Sequence, residues 1–143
     1  MSSNPAPAAG EWGGLEFLSG SAGTLQFVTV EDSGQTVFTT DFGIRVSGPV
    51  TSPWNHVTLT QNNSTGLLVD GTGSVAITSS NFENGPSAGV IDNGTGSNVS
   101  VTNSYWNSTT GPNIGTNPGG TGDAIIGSNA AGVSFSPFSN TPN

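Results

Sequence analysis

The chain has 143 residues, a length typical of one domain, and its apolar fraction of 31% is low for a globular protein. Nine acidic residues stand against one basic residue, Arg45, which gives a formal charge of −8. Nucleic acids and anionic membrane surfaces are bound through Lys and Arg, so this charge excludes both classes of partner. No apolar run is long enough for membrane insertion, and without cysteine there is no disulfide or thiolate chemistry.

Residues 1–10 are rich in Ser, Pro and Ala and are expected to form a flexible N-terminal tail. They have neither the basic start nor the apolar stretch of a signal peptide, and we expect a mature piece of a secreted or cell-surface protein. The charged fraction of 7% argues against disorder in the rest of the chain. The predicted domain covers residues 11–138, and residues 139–143 are assigned to a C-terminal tail.

A repeat dominates the predicted domain. A glycine followed by an apolar residue recurs in steps of 29, 23 and 23 residues, and a pair of alternating apolar residues follows each time. Such a period, built from short alternating segments, predicts an all-β solenoid in which each coil buries its apolar side against the next. The glycine pairs are Gly14-Leu15, Gly43-Ile44, Gly66-Leu67 and Gly89-Val90, and the following pairs are Val28/Val30, Val57/Leu59, Val75/Ile77 and Val99/Val101.

Parallel stacking brings the outward residues after each glycine pair into one column. Glu16 and Arg45 would be neighbours in it and are expected to pair. Leu68 and Ile91 would follow as adjacent apolar residues that face outward. A flanking loop or a partner subunit would cover them, and they form the candidate partner surface.

The second strand of each coil places small hydroxyl residues outward, and the four second strands are expected to align in one sheet. This arrangement resembles the Thr-x-Thr arrays of β-solenoid ice-binding proteins, although Thr is also common at exposed strand positions for its β-propensity. The candidate ice-facing or ligand-facing array consists of Thr58, Thr60, Thr78, Ser100 and Thr102.

The C-terminal third contains YWNSTTGP at 105–112, GTGDAI at 120–125 and VSFSPF at 133–138, and the domain opens with EWGGLEF at 11–17. Together these motifs resemble right-handed parallel β-helix repeat proteins of the pectate-lyase-like group, with Asn107 where glycine is usual. The resemblance implies a right-handed parallel β-helix of about five coils with an aromatic C-terminal closing segment. Within it, Phe82 and Trp106 are expected at equivalent places in successive coils.

Members of this group include lyases and hydrolases, but the residues that such chemistry needs are scarce here. Arg45 is the only base of the lyase type, and it is expected to face outward. His56 has no acid nearby in sequence and is expected in a turn. Asp70 and Asp92 open similar turns and would be stacked neighbours, as a glycosidase pair or a calcium site, unless they serve only as turn openers. We expect no enzymatic activity, cofactor or metal.

The sequence therefore predicts a non-enzymatic structural or adhesive module of a secreted or cell-surface protein. Open coil edges, or Leu68 and Ile91, would allow self-association into oligomers or fibres. The alternative is an ice-binding or carbohydrate-binding solenoid, and a fragment of a polysaccharide-degrading enzyme ranks below both. A carbohydrate binder needs an exposed aromatic platform, for which the candidates are Trp54 and Tyr105.

Overall fold

The computed structural model describes residue 6 and residues 8–35, 41–50, 53–84 and 88–143. This part of the chain is all-β, with one short 3-10 helix at Ala130–Gly132 and no α-helix. Among the described residues, no helix has the length and apolar character needed to cross a membrane. The strands are β1 (Leu15–Phe17), β2 (Gln26–Glu31), β3 (Phe42–Val46), β4 (Trp54–Thr60), β5 (Thr65–Val69), β6 (Ser74–Thr78), β7 (Asn81–Glu83), β8 (Ala88–Asp92), β9 (Asn98–Thr102), β10 (Pro112–Asn113) and β11 (Gly122–Ile126).

The strands form two parallel sheets. The first sheet has the order β1-β3-β5-β8-β11-β10, and the second has the order β2-β4-β6-β9, with β7 also paired to β4. From β1 to β6 the chain alternates between the two sheets, and each return adds a strand next to the previous one. The predicted all-β fold with stacked parallel strands is therefore confirmed.

The register of the first sheet follows the glycine repeat. Ile44 pairs with Leu67, and Leu67 pairs with Val90, and all three side chains are fully buried. The glycine that precedes each of them allows the strands to approach closely. A Cβ on Gly43 would lie 2.7 Å from the carbonyl oxygen of Gly66. The repeat is thus a steric requirement of the stacking.

The register of the second sheet differs from the prediction. Before His56, Trp54 of β4 pairs with Ile77 of β6. After His56, Leu59 pairs with Phe82 of β7. The expectation that Leu59 lies beside Ile77 is therefore wrong. Strand β4 contains a corner, and its first half pairs with β6 while its second half pairs with β7.

The corner is produced by left-handed backbone. His56 has a φ of 50°, and three residues at the same place in other layers of the stack also have positive φ. These residues stack in one column, and the chain changes direction there in each layer because a single left-handed residue turns an extended chain sharply. The column consists of Phe27 (φ 54°), His56 (φ 50°), Ser79 (φ 49°) and Asn103 (φ 52°).

A ladder of buried polar side chains connects successive layers. Asn62 accepts hydrogen bonds from the backbone N–H and hydroxyl of Ser33, and its Nδ2 donates to Val30 O at 3.2 Å. The backbone N–H of Asn62 donates to Asn84 Oδ1 at 2.9 Å, and the backbone N–H of Asn84 donates to the carboxylate of Asp123. These side chains satisfy backbone groups at turns, where no sheet partner is present.

Aromatic side chains close the C-terminal end. Phe82 and Trp106 stack with ring centroids 4.6 Å apart, which confirms their expected equivalence. Phe135 and Phe138 pack against the core from the final segment. Asn143, inside the predicted 139–143 tail, donates its backbone N–H to the side chain of Asn81 at 2.8 Å. The end of the chain therefore lies against the body of the domain.

Candidate functional site

The charged half of the outward column on the first sheet forms one ion-pair network. Arg45 Nη1 lies 3.1 Å from Glu16 Oε1, and its Nε and Nη2 donate to Asp70 Oδ2 at 3.0 and 2.7 Å. The hydrogen bond from Arg45 to Asp70 raises the pKa of the guanidinium above its usual value, and the hydrogen bond to Glu16 adds a smaller effect in the same direction. The predicted pairing of Glu16 with Arg45 is confirmed, and the single cation of the chain is occupied by two carboxylates.

The apolar half of the same column is longer than predicted. Leu68 pairs with Ile91, as expected, and Ile91 pairs in turn with Ile126 of β11. Leu68 and Ile91 are half-buried, and Ile126 is 48% exposed. Sequence reasoning missed Ile126 because GTGDAI was assigned to the closing segment. We call Leu68, Ile91 and Ile126 the lateral stripe.

The predicted hydroxyl array is not continuous. Thr58 pairs with Asn81 of β7 and not with Ala76 of β6, because the corner at His56 shifts the register. All five residues of the array are half-buried. The prediction of one flat array is therefore wrong, and two short groups replace it. One group is Thr58 and Thr60, and the other is Thr78, Ser100 and Thr102.

The predicted aromatic platform is also corrected. Trp54 is fully buried, its Nε1 donates to Gly23 O at 3.1 Å, and its ring packs against Phe17 with centroids 4.8 Å apart. It begins β4 at an inward position beside Ile77. A buried ring presents no surface to a glycan. Tyr105 is half-buried and lies next to Asn81 in the strand stacking.

The exposed aromatic pair of the described chain lies elsewhere, at the corner of the second sheet. Phe27 is 75% exposed and stacks on His56, with ring centroids 4.6 Å apart and planes at 18°. His56 Nδ1 lies 3.1 Å from Asn55 Oδ1. His56, which was expected in a turn, lies inside β4 at its left-handed corner. The sequence did not mark Phe27 as an exposed aromatic residue, because its position next to Val28 is typical of a core residue.

The two acids considered as a catalytic or calcium pair are held apart. Asp92 pairs with Val69, so it is one position out of register with Asp70. Asp92 is fully buried and accepts hydrogen bonds from the N–H of Gly94 at 3.0 Å and from Ser97 Oγ at 2.8 Å. Asp70 is bound to Arg45. The prediction that Asp70 and Asp92 are stacked neighbours is therefore wrong, and their role in turns explains them.

No group of three or more His, Cys, Asp or Glu side chains in the described ranges is placed to hold a metal ion.

The two ends of the strand stack differ. Leu15 and Phe17 on β1 are half-buried, while Ile44 and Val46, their partners on β3, are fully buried. Leu18, directly after β1, is 53% exposed. β1 and β2 are the terminal strands of their sheets, so one edge of each has no strand partner among the described residues. We call this surface the open end.

Neither protein-family models, nor curated proteins, nor solved structures give a match to this chain.

Proposed function

We propose that the chain is a right-handed parallel β-helix of about five coils, a non-enzymatic structural or adhesive module of a secreted or cell-surface protein that associates in pairs through its open end. The alternation of the chain between two parallel sheets supports a solenoid. Parallel crossovers are almost always right-handed, which supports the handedness. The motifs shared with pectate-lyase-like proteins, from EWGGLEF to VSFSPF, favour the same fold.

A non-enzymatic role is supported by the contacts of the side chains that could act as acids or bases. Asp70 neutralises Arg45, and Asp92 caps a turn from inside the domain. His56 stacks on Phe27 with an amide at its Nδ1. Each of these groups has a structural partner. Such an arrangement is typical of a scaffold.

The observation that carries the proposal is the difference between the two ends of the stack. The apolar residues of β1 are left half-buried in columns whose inner members are fully buried. One edge of each terminal strand has no strand partner among the described residues, and such an edge pairs readily with another chain. At the other end, Val133, Phe135 and Phe138 pack over the core.

A second copy fits the open end better than a continuing stack of copies. Head-to-tail growth would need a free surface at both ends, and the aromatic segment covers one of them. Two open ends that face each other form a closed, symmetric pair in which the same surface is used twice. We therefore expect dimers and not fibres. The half-exposed lateral stripe is the competing contact.

Sedimentation equilibrium on two matched variants tests the proposal. Leu18→Asp places a charge at the open end, and Ile126→Asp places one in the lateral stripe at a similarly exposed position. We expect wild type and Ile126→Asp to dimerise at micromolar concentration, and Leu18→Asp to dimerise at least about tenfold more weakly.

A monomeric wild type at about 100 µM, well above the micromolar range of specific interfaces, would contradict self-association. Dissociation by Ile126→Asp alone would move the interface to the lateral stripe. Filaments in negative-stain micrographs would contradict the closed pair. Circular dichroism spectra that match the wild type would show that both variants fold.

A further inference from the structure

The left-handed column at the corner of the second sheet contains two residues that its backbone disfavours. Ser79 and Asn103 are small and polar, and Asn in particular tolerates positive φ. Phe27 and His56 occupy the same conformation with large rings, and left-handed backbone is unfavourable for such residues. Burial does not offset this cost at Phe27, since its side chain is 75% exposed. The stability of the fold therefore does not explain why an aromatic residue occupies this position.

Two amide residues, Gln26 and Asn55, precede the two rings in sequence and pair with each other across β2 and β4. Gln26 is exposed, and Asn55 contacts His56 Nδ1 at 3.1 Å. The exposed amide of Gln26 offers both donors and an acceptor, while the amide of Asn55, whose Oδ1 contacts His56, offers its donors.

We propose that Phe27, His56, Gln26 and Asn55 form a binding site for a neutral sugar residue of a glycan. Aromatic faces pack well against the apolar C–H face of a pyranose, and amide groups match its hydroxyls. The chain carries a charge of −8, and Arg45 is already paired with two acids. An acidic sugar would therefore be repelled and would find no cation. Gln26 and Phe27 lie on β2, a terminal strand at the open end, so the site has to be tested on a variant that does not dimerise.

NMR titration of Leu18→Asp, which is expected to be monomeric, tests the site apart from the dimer. The probes are cellohexaose, maltohexaose, mannohexaose and xylohexaose as neutral glycans, hexagalacturonate as the acidic one and hexaglucosamine as the cationic one. We expect at least one neutral probe to shift the ring signals of Phe27 and His56 with a Kd of about 1 mM, and hexagalacturonate to give no shift.

Phe27→Asn is the decisive variant because it removes the ring and suits the left-handed backbone. We expect it to weaken sugar binding at least about tenfold while the melting temperature stays equal or rises. Ser79→Asn, at the same place in the column two coils further on, is the matched control and should bind as the parent does. Gln26→Ala changes an exposed amide only, so it tests the site even if Phe27→Asn fails to fold, and it should weaken binding severalfold.

Three results would overturn the proposal. The first is no response to any neutral probe at about 10 mM, ten times the expected Kd. The second is unchanged binding in both Phe27→Asn and Gln26→Ala. The third is tighter binding of hexaglucosamine than of every neutral probe, which would indicate cation recognition by the ring face.

Discussion

At the scale of single residues, glycine sets how closely neighbouring strands approach. A Cβ on Gly43 would meet Gly66 O at 2.7 Å and Asn62 Nδ2 at 2.9 Å. We expect Gly43→Ala to lower the free energy of unfolding by about 1–3 kcal/mol, the usual cost of overpacking. Gly119→Ala is the control, since a Cβ there meets nothing within 4 Å, and it should change stability by less than about 0.5 kcal/mol. Urea denaturation measures both, and equal effects would contradict the steric account.

The buried amide ladder makes a second prediction for single residues. Asn62→Ala removes the acceptor for Ser33 N–H and the donor for Val30 O, and both groups stay buried. We expect a loss of about 1–3 kcal/mol in the free energy of unfolding, the penalty for an unsatisfied buried polar group. Asn98→Ala, at an exposed position, should change it by less than about 0.5 kcal/mol. A loss at Asn98 as large as that at Asn62 would contradict this account.

At the scale of strands, the outer face of the first sheet carries the ion-pair network. Arg45 and its two acids are partly exposed, with the Arg45 side chain 34% exposed. Such pairs contribute about 0–1 kcal/mol, so Arg45→Met should cost no more than about 1 kcal/mol at low salt. In about 1 M NaCl the difference between wild type and variant should disappear, because salt screens the pairs. Denaturation curves at the two salt concentrations measure this, and a loss above about 2 kcal/mol at high salt would contradict it.

The strands also show how far the sequence predicts the fold. Four strands of the first sheet, β1, β3, β5 and β8, were predictable in register because a glycine precedes the first inward residue of each. Strands β10 and β11 were not, because no such glycine repeat marks them and their pairing shifts register. The second sheet was not, because the corner at His56 changes the phase of the alternation inside one strand. Positive φ is signalled by Gly or Asn, and neither Phe27 nor His56 gives that signal. Because of the same corner, Trp54 lies inward and the predicted hydroxyl array is divided into two groups.

At the scale of the whole molecule, stability is expected to differ along the stack. In a solenoid each coil contacts only its neighbours, so stability is close to a sum of coil and interface contributions. β5 has a strand on each side, while β1 has one. We expect backbone amides of β1 to exchange with deuterium at least about tenfold faster than those of β5, as measured by hydrogen-exchange NMR at low protein concentration. Uniform protection across both strands would contradict this expectation.

The open end has a consequence for how folding and association are linked. A second copy at that end would give β1 and β2 the neighbour they lack, so part of the binding free energy would order the first coil. Slow exchange in β1 would then appear only as the protein concentration rises, while β5 would stay protected throughout. The order of the first coil would thus depend on the protein concentration, and the first coil of a dilute, unpaired copy would fray.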